Sequence, residues 1–275
     1  MDKPKLISLG AGFPIADLIQ VHSRFERVVN FHWQDRIVSV VTPEIGAGAW
    51  NLVLSGFDLT TLSSLDNTPQ AVILNGQYVL PVSPEQLYNP EFHTASAHPE
   101  RTRDNIDRLQ KWLLQPDKAV GLLYLITGIL PAAETAFDLA LQEQFSSAYQ
   151  LLQRREFAAA AAGFRGRGYG LTPAGDDFNA GLLLGLSLRE TTEKKELSKI
   201  RACIYANSLG NNLIANTFLY QARQGWVSQN WRFLLDCICF AQDDLEQALG
   251  LVLNQGETSG ADTLAGFLAA WSIKI

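Results

Sequence analysis

Gly163-Phe164-Arg165-Gly166-Arg167-Gly168-Tyr169-Gly170-Leu171-Thr172-Pro173-Ala174-Gly175-Asp176-Asp177 is the stretch on which the reading of the fold turns. It sets five glycines and two adjacent carboxylates between two helix-like segments. Glycine is costly in backbone entropy, so such density implies left-handed backbone or close approach of the chain to a neighbour or ligand. Thr172-Pro173 reads as a helix start, a hydroxyl cap followed by proline at the first helical position. The helix that follows, Asp176–Leu188, is apolar nearly all round and carries Gly181 and Gly185 four apart. Small residues at that spacing admit a second helix at close range. This helix therefore belongs at the centre of a bundle.

Outward from it, the pattern stays helical to the C-terminus and back to Arg101. Arg101–Leu114 places Ile106, Leu109 and Leu113 on one face and stops before Pro116. Further helices are predicted at Ala119–Leu130, Ala132–Leu152, Phe157–Phe164, Thr192–Leu209, Leu213–Gln224, Asn230–Phe240, Leu245–Asn254 and Ala261–Trp271. The first ninety residues differ. Leu6–Leu9, Glu26–Phe31, Arg36–Thr42, Asn51–Leu54, Ala71–Leu74 and Gln77–Leu80 are short, rich in Val, Ile and Leu, and punctuated by Gly, Pro, Asn and Asp. Asn75-Gly76 is a two-residue hairpin signal, since both positions tolerate positive φ. Pro81–Pro99 carries four prolines and reads as connector. The expected architecture is α+β: a small antiparallel β sandwich or barrel over residues 1–90, a connector at 91–100, and an all-α bundle over 101–275.

Gly256-Glu257-Thr258-Ser259-Gly260-Ala261-Asp262 repeats the central arrangement. Aligning Gly170 with Gly256 sets Thr172 opposite Thr258 and Asp176 opposite Asp262 without a gap, so both read Gly-x-Thr-x-x-x-Asp before a hydrophobic helix. Hydroxyl and carboxylate then sit about one turn apart and can face the same helix end. Two such ends meeting in a bundle would offer N–H donors and a positive dipole to a small anionic metabolite. Gly170, Thr172, Gly175, Asp176, Asp177, Thr258, Ser259, Gly260 and Asp262 are the candidate binding residues, with Asp176 and Asp177 as possible magnesium ligands. The competing reading is plain capping: Ser259-x-x-Asp262 resembles a capping box with Asp in place of Glu, and first-turn acids gain about 0.3–1 kcal/mol from the dipole.

Ser208-Leu209-Gly210-Asn211-Asn212 precedes a helix with Asn216. Capping is the simpler reading, and amides of Asn212 and Asn216 facing a cavity would suit a carbamoyl group. In the first half, His22-Ser23-Arg24 sits in a strand-like run. Alternation of side chains along a strand would keep His22 and Ser23 from acting as base and nucleophile, and would set Arg24 on the face of His22, able to reach a carboxylate or phosphate. Ordinary surface polarity is the alternative. No zinc motif, Walker loop, nucleophile elbow or dinucleotide fingerprint occurs.

The 275 residues carry 22 Lys+Arg against 28 Asp+Glu, a net charge of −6, which argues against nucleic acid as a general partner. Only 18% are charged, so much of the surface is expected in interior or interface, with homo-oligomerisation possible. The apolar runs Ala119–Leu130 and Gly181–Leu188 are far short of the roughly 20 residues that cross a bilayer, and no secretory segment opens the chain. Three cysteines without a CxxC pair suggest buried, reduced thiols and a cytoplasmic location.

Gly170-Leu171-Thr172-Pro173-Ala174-Gly175-Asp176-Asp177-Phe178, together with Thr258-Ser259-Gly260-Ala261-Asp262-Thr263-Leu264-Ala265-Gly266, resembles a bacterial family first known as a domain of unknown function. It takes in AllH, a subunit associated with oxamate carbamoyltransferase in allantoin catabolism. His22-Ser23 and Val41-Thr42-Pro43-Glu44 also look like that family. The resemblance implies a share in carbamoyl transfer between oxamate and carbamoyl phosphate, alongside partner subunits. It would place Thr172, Asp176, Asp177, Thr258 and Asp262 near a small anionic ligand. A stand-alone magnesium-dependent enzyme and a non-enzymatic assembly or ligand-sensing module are the alternatives.

Overall fold

The computed structural model describes residues 3–94, 97–115, 120–193, 197–240 and 244–274. The chain divides into two compact units, residues 1–91 with 227–230, and residues 92–226 with 231–275. The first unit gives way to the second after residue 91. The return of 227–230 to the first unit has no sequence signal. It is made by three hydrogen bonds: Val227 N–H to Pro90 O, Gln229 N–H to Ala47 O, and the Tyr88 hydroxyl to Val227 O. Residues 92–94 and 97–98, expected as linker, group with the second unit.

The first unit is built from β1 (Lys5–Gly10), β2 (Asp17–Leu18), β3 (Val21–Arg24), β4 (Val28–Trp33), β5 (Arg36–Val41), β6 (Asn51–Ser55), β7 (Leu65–Asn67), β8 (Ala71–Leu74), β9 (Tyr78–Pro81) and β10 (Leu87–Tyr88). They form a six-stranded sheet ordered β10-β1-β6-β5-β4-β3 and a four-stranded sheet ordered β2-β7-β8-β9. The pairings are mostly antiparallel, as expected, and two are parallel: β1 with β10, and β5 with β6. For the second pair, residues 42–50 carry the chain back to the start of the strand and bury Ala47, Ala49 and Trp50. Central β5 and β6 are buried on both faces, which is why they read as apolar runs and not as alternations. The hairpin between β8 and β9 turns on Asn75 at φ 51 and Gly76 at φ 67, with Gln77 N–H bonded to Leu74 O at 2.9 Å.

The second unit contains α1 (Pro99–Leu113), α2 (Tyr124–Thr127), α3 (Ala136–Gln153), α4 (Phe157–Phe164), α5 (Ala174–Thr192), α6 (Ser198–Ser208), α7 (Leu213–Gln224), most of α8 (Gln229–Phe240), α9 (Leu245–Leu253) and α10 (Ser259–Ser272). The face Ile106, Leu109 and Leu113 of α1 is buried as its spacing requires. One expected helix is cut down. From Ala119–Leu130, whose first residue lies outside the described residues, only a short turn at Gly121–Leu123 and the four residues of α2 are helical. Gly121 (φ 54) and Gly128 (φ 75) take left-handed backbone at either end, and the latter terminates α2. The helix expected over Thr192–Leu209 is likewise α6 alone, and 194–196 lie outside the described residues. Among the described residues no helix is long and apolar enough to cross a membrane.

Helices α5 and α10 are the heart of this unit. They run in the same direction, because Gly181 meets Thr263 and Gly185 meets Phe267 further along. The contact is backbone on backbone. A Cβ added at Gly181 would stand 1.8 Å from Thr263 O, and one at Gly266 would stand 1.9 Å from Phe178 O. Phe178 stacks on Phe164 of α4 with ring centroids 4.0 Å apart. At the far end, the buried Arg189 guanidinium donates to Ala270 O and Ile273 O and pairs with Glu193. These contacts fix the two helices in register, so their N-termini lie side by side.

Replacing Gly181 by alanine must push the two backbones apart, and should lower unfolding free energy by about 1–3 kcal/mol in urea titrations. Gly250, in α9, has open space where its Cβ would go. Gly250→Ala should instead raise stability by about 0.5–1 kcal/mol, because helix-interior glycine is entropically costly.

Candidate functional site at the joined helix starts

Thr172, Asp177 and Ser259 meet directly. The Thr172 hydroxyl donates to Asp177 Oδ2 at 2.8 Å and lies 3.2 Å from Ser259 Oγ. A residue from the first motif thus touches one from the second across eighty-seven positions of sequence. Asp262, wholly buried, stands close enough to Asp177 to act on its charge. Its Oδ1 accepts the Leu122 N–H at 2.7 Å, and a Cβ at Gly121 would come within 2.3 Å of that oxygen. The truncated α2 segment is therefore held over the start of α10 by Asp262 itself. Among the described residues, Asp262 Oδ2 is buried with no hydrogen-bond partner.

The capping account of these residues does not hold. Pro173, not Thr172, occupies the N-cap of α5, and the Thr258 side chain makes no capping hydrogen bond to α10. Thr172 spends its hydroxyl on Asp177, and Asp262 accepts from a different segment of chain. Backbone donors at the helix starts are also largely taken within the fold. Gly175 N–H goes to Arg167 O, Asp176 and Asp177 N–H to Pro173 O, Gly260 N–H to Gln255 O, and Asp262 N–H to Thr258 O.

Other candidates serve the loop. Asp176 accepts the Gly166 N–H at 2.7 Å, so adjacent Asp176 and Asp177 hold different partners and do not converge as a metal pair. Among the described residues no group of three His, Cys, Asp or Glu is placed to hold a metal ion. Gly170 (φ 98) supplies left-handed backbone. Gly175 and Gly260 allow the chain itself to approach: their Cβ atoms would stand 2.0 Å from Phe164 O and 1.9 Å from Val252 O. Asn212 caps α7 through Ala215 N–H and donates to Leu171 O, while Asn216 exchanges two hydrogen bonds with Gly210. Both amides are committed to backbone, and neither presents itself to a carbamoyl group. Arg167 donates to Ala162 O, Gly163 O and Gln144, and Arg165 to Leu209 O. Two clefts of about 510 and 420 Å³ are lined by other residues, the first around Arg108, Trp112 and Asp244, the second around Leu130, Leu139 and Gln142. The motif carboxylates line neither.

His22 and Arg24 belong to the first unit. The Arg24 guanidinium donates to Leu59 O and Leu62 O, both at 2.6 Å, and so tightens a loop where a bound anion was expected. The alternation argument for His22 fails outright: its Nδ1 lies 3.0 Å from Ser23 Oγ. The β3–β4 register slips between Val21 and Ser23, and such a bulge re-aims neighbouring side chains. Of the cysteines, all free, Cys237 and Cys239 are buried as expected and Cys203 is only half-buried.

Both motifs lie within one family match. Residues 164–271 match the family model described as oxamate carbamoyltransferase subunit AllH. That is the family the two motifs resemble. The match stops short of the β unit and so does not reach His22-Ser23 or Val41-Thr42-Pro43-Glu44. No curated protein and no solved structure matches the chain.

The electrostatics of the AllH-matching segment are unusual for aspartate. Desolvation raises the Asp177 carboxyl to about 8, against the opposing pull of Ser259 and Thr172 hydroxyls, with the charges of Asp262 and Asp176 adding to the rise. Burial likewise lifts Asp262 to about 6, held back by the Leu122 N–H and Thr258. Asp176 is raised as well, by desolvation. At neutral pH Asp177 is therefore a carboxylic acid able to donate, beside an Asp262 that is mostly ionised. Strong shifts in a cluster of buried carboxyl groups make the junction a candidate functional site.

Unfolded, Asp177 releases its proton near the ordinary 3.8, whereas folded it retains it to about 8. Between those values only the unfolded chain ionises, which favours unfolding. Stability must fall as pH rises through that window, by up to about 1.4 kcal/mol per pH unit, with no further loss above it. Asp262 contributes in the same sense up to about pH 6. Asp177→Asn cannot titrate, so its urea midpoint should vary less than wild type between about pH 6 and about pH 8. Equal slopes would contradict the assignment.

Proposed function

We propose that the chain is a subunit of a carbamoyltransferase-type enzyme, and that the joined starts of α5 and α10 hold a small metabolite combining an amide with an anionic group. Oxamate and carbamoyl phosphate are compounds of that chemistry. The family described as oxamate carbamoyltransferase subunit AllH supports the first half of the reading, since its match encloses both motifs. Other subunits of such an enzyme would be its partners, and the free thiols suit a reducing cytoplasm.

The observation that carries the second half is Asp262 Oδ2, a buried carboxylate oxygen with no donor. An unpaired buried acceptor is costly, and an amide NH2 offers the two N–H groups that would satisfy it. Protonated Asp177 supplies a hydroxyl donor beside it for a carbonyl or carboxylate oxygen, with the Thr172 and Ser259 hydroxyls directed at its own carboxyl group. Positive dipole ends of two parallel helices favour the anionic part of the same molecule. Arg165 and Arg167 are occupied by carbonyls, so the anion would be met by dipoles and hydroxyls and not by a guanidinium clamp.

Thermal unfolding with oxamate, carbamoyl phosphate and inorganic phosphate tests this reading. An amide-bearing ligand at a hundred times its dissociation constant should stabilise the native state by about 3 kcal/mol. Asp262→Asn presents a donor where the amide needs an acceptor and should lose that response while remaining folded. No response in wild type to either amide compound at millimolar concentration, or an equal response in Asp262→Asn, overturns it.

A further inference from the structure

The bulge in β3 creates a second chemical feature, in the β unit and independent of the α5–α10 junction. Ser39 Oγ donates to Asn30 Oδ1 at 2.7 Å, and Asn30 Nδ2 donates to Ser23 Oγ at 2.9 Å. Ser23 Oγ in turn lies 3.0 Å from His22 Nδ1. An amide nitrogen only donates, so Ser23 accepts from Asn30 and keeps its single hydrogen for His22 when Nδ1 carries no proton. With the imidazole proton on Nε2, the chain of bonds ends on the lone pair of Nδ1. That tautomer is a neutral imidazole.

Its surroundings keep it so. Burial and the neighbouring His32, whose ring centroid is 4.8 Å away, hold His22 below the ordinary 6.5. Asn30 is buried at 4% exposure, which anchors the network from beneath, while the His22 side chain is exposed. β3 is the last strand of its sheet, so the pair is presented at an edge. A hydroxyl donating to a neutral imidazole is the arrangement by which a general base activates a nucleophile.

We propose that Ser23 is a nucleophile activated by His22 and reacts with small activated acyl or carbamoyl donors such as esters and mixed anhydrides. Ser23 Oγ forms a bond to the acyl carbon as its proton passes to His22 Nδ1. The bond from that carbon to the leaving oxygen then breaks, and His22 returns the proton to the departing group. Water or another acceptor hydroxyl or amine releases the acyl group from Ser23 by the same steps in reverse.

The full chain incubated with p-nitrophenyl acetate should release nitrophenolate and gain one acetyl group on the peptide containing Ser23. Ser23→Ala should lose that label, and Ser23→Cys should be acetylated at the same position. His22→Asn, at an exposed site, should slow labelling at least about 100-fold with unchanged circular dichroism. Absence of acetyl from Ser23 in the folded wild-type chain, or wild-type labelling rates in folded His22→Asn, overturns the proposal. Neither result bears on ligand binding at Asp262, so the two readings stand or fall separately.

Discussion

Close approach of two backbones, α5 against α10, is the constraint from which the helical unit follows. Gly181, Gly185 and Gly266 remove the side chains that would keep the helices at ordinary distance. Carbonyl oxygens of Phe178, Thr263 and Phe267 occupy the freed space. Helices in this arrangement cannot slide past each other, since each glycine accommodates one particular carbonyl. The register places Thr172 against Ser259 and brings Asp262 near Asp177.

That register has an electrostatic consequence. Two carboxylates that would each be comfortable at an exposed helix start are drawn into one buried junction. Hydroxyls and one N–H offset part of the desolvation, but not all of it, so Asp177 stays protonated at neutral pH and one oxygen of Asp262 has no donor. Stability is given up at a place where the chain could instead have put apolar residues. Plain capping differs, since there acids gain from the helix dipole without being desolvated.

The β unit manages its polar groups differently. Arg24 serves two loop carbonyls, and Asn75 Oδ1 accepts N–H groups of Ser63 and Ser64 while its Nδ2 reaches Thr61 O. These bonds hold segments that lack a regular ladder. The exception is the bulge at Ser23, where a slip of register sets a histidine and a serine against each other in neighbouring positions of one strand.

How much of this the chain displays on its face depends on the range of the interaction. Helix positions such as Phe157–Phe164 and Leu213–Gln224, and the Asn75-Gly76 turn, follow from local periodicity and local φ preferences, and both are written in neighbouring residues. The paired Gly-x-Thr-x-x-x-Asp motifs were legible for the same reason, and their meeting was a fair expectation from glycine spacing. What each polar atom does was not legible. Asn212 and Asn216 turn to backbone, Arg24 to carbonyls and Asp262 to Leu122, because partners distant in sequence come within reach only after packing. The shortening of Ala119–Leu130 to a single turn has the same origin: its N–H is claimed by an aspartate from α10. Sequence alone settled most of the helices and the Asn75-Gly76 hairpin, and where chemistry could gather. Tertiary structure decided the protonation of Asp177, the parallel strand pairs and the contact of His22 with Ser23, since desolvation and register exist only in the folded chain.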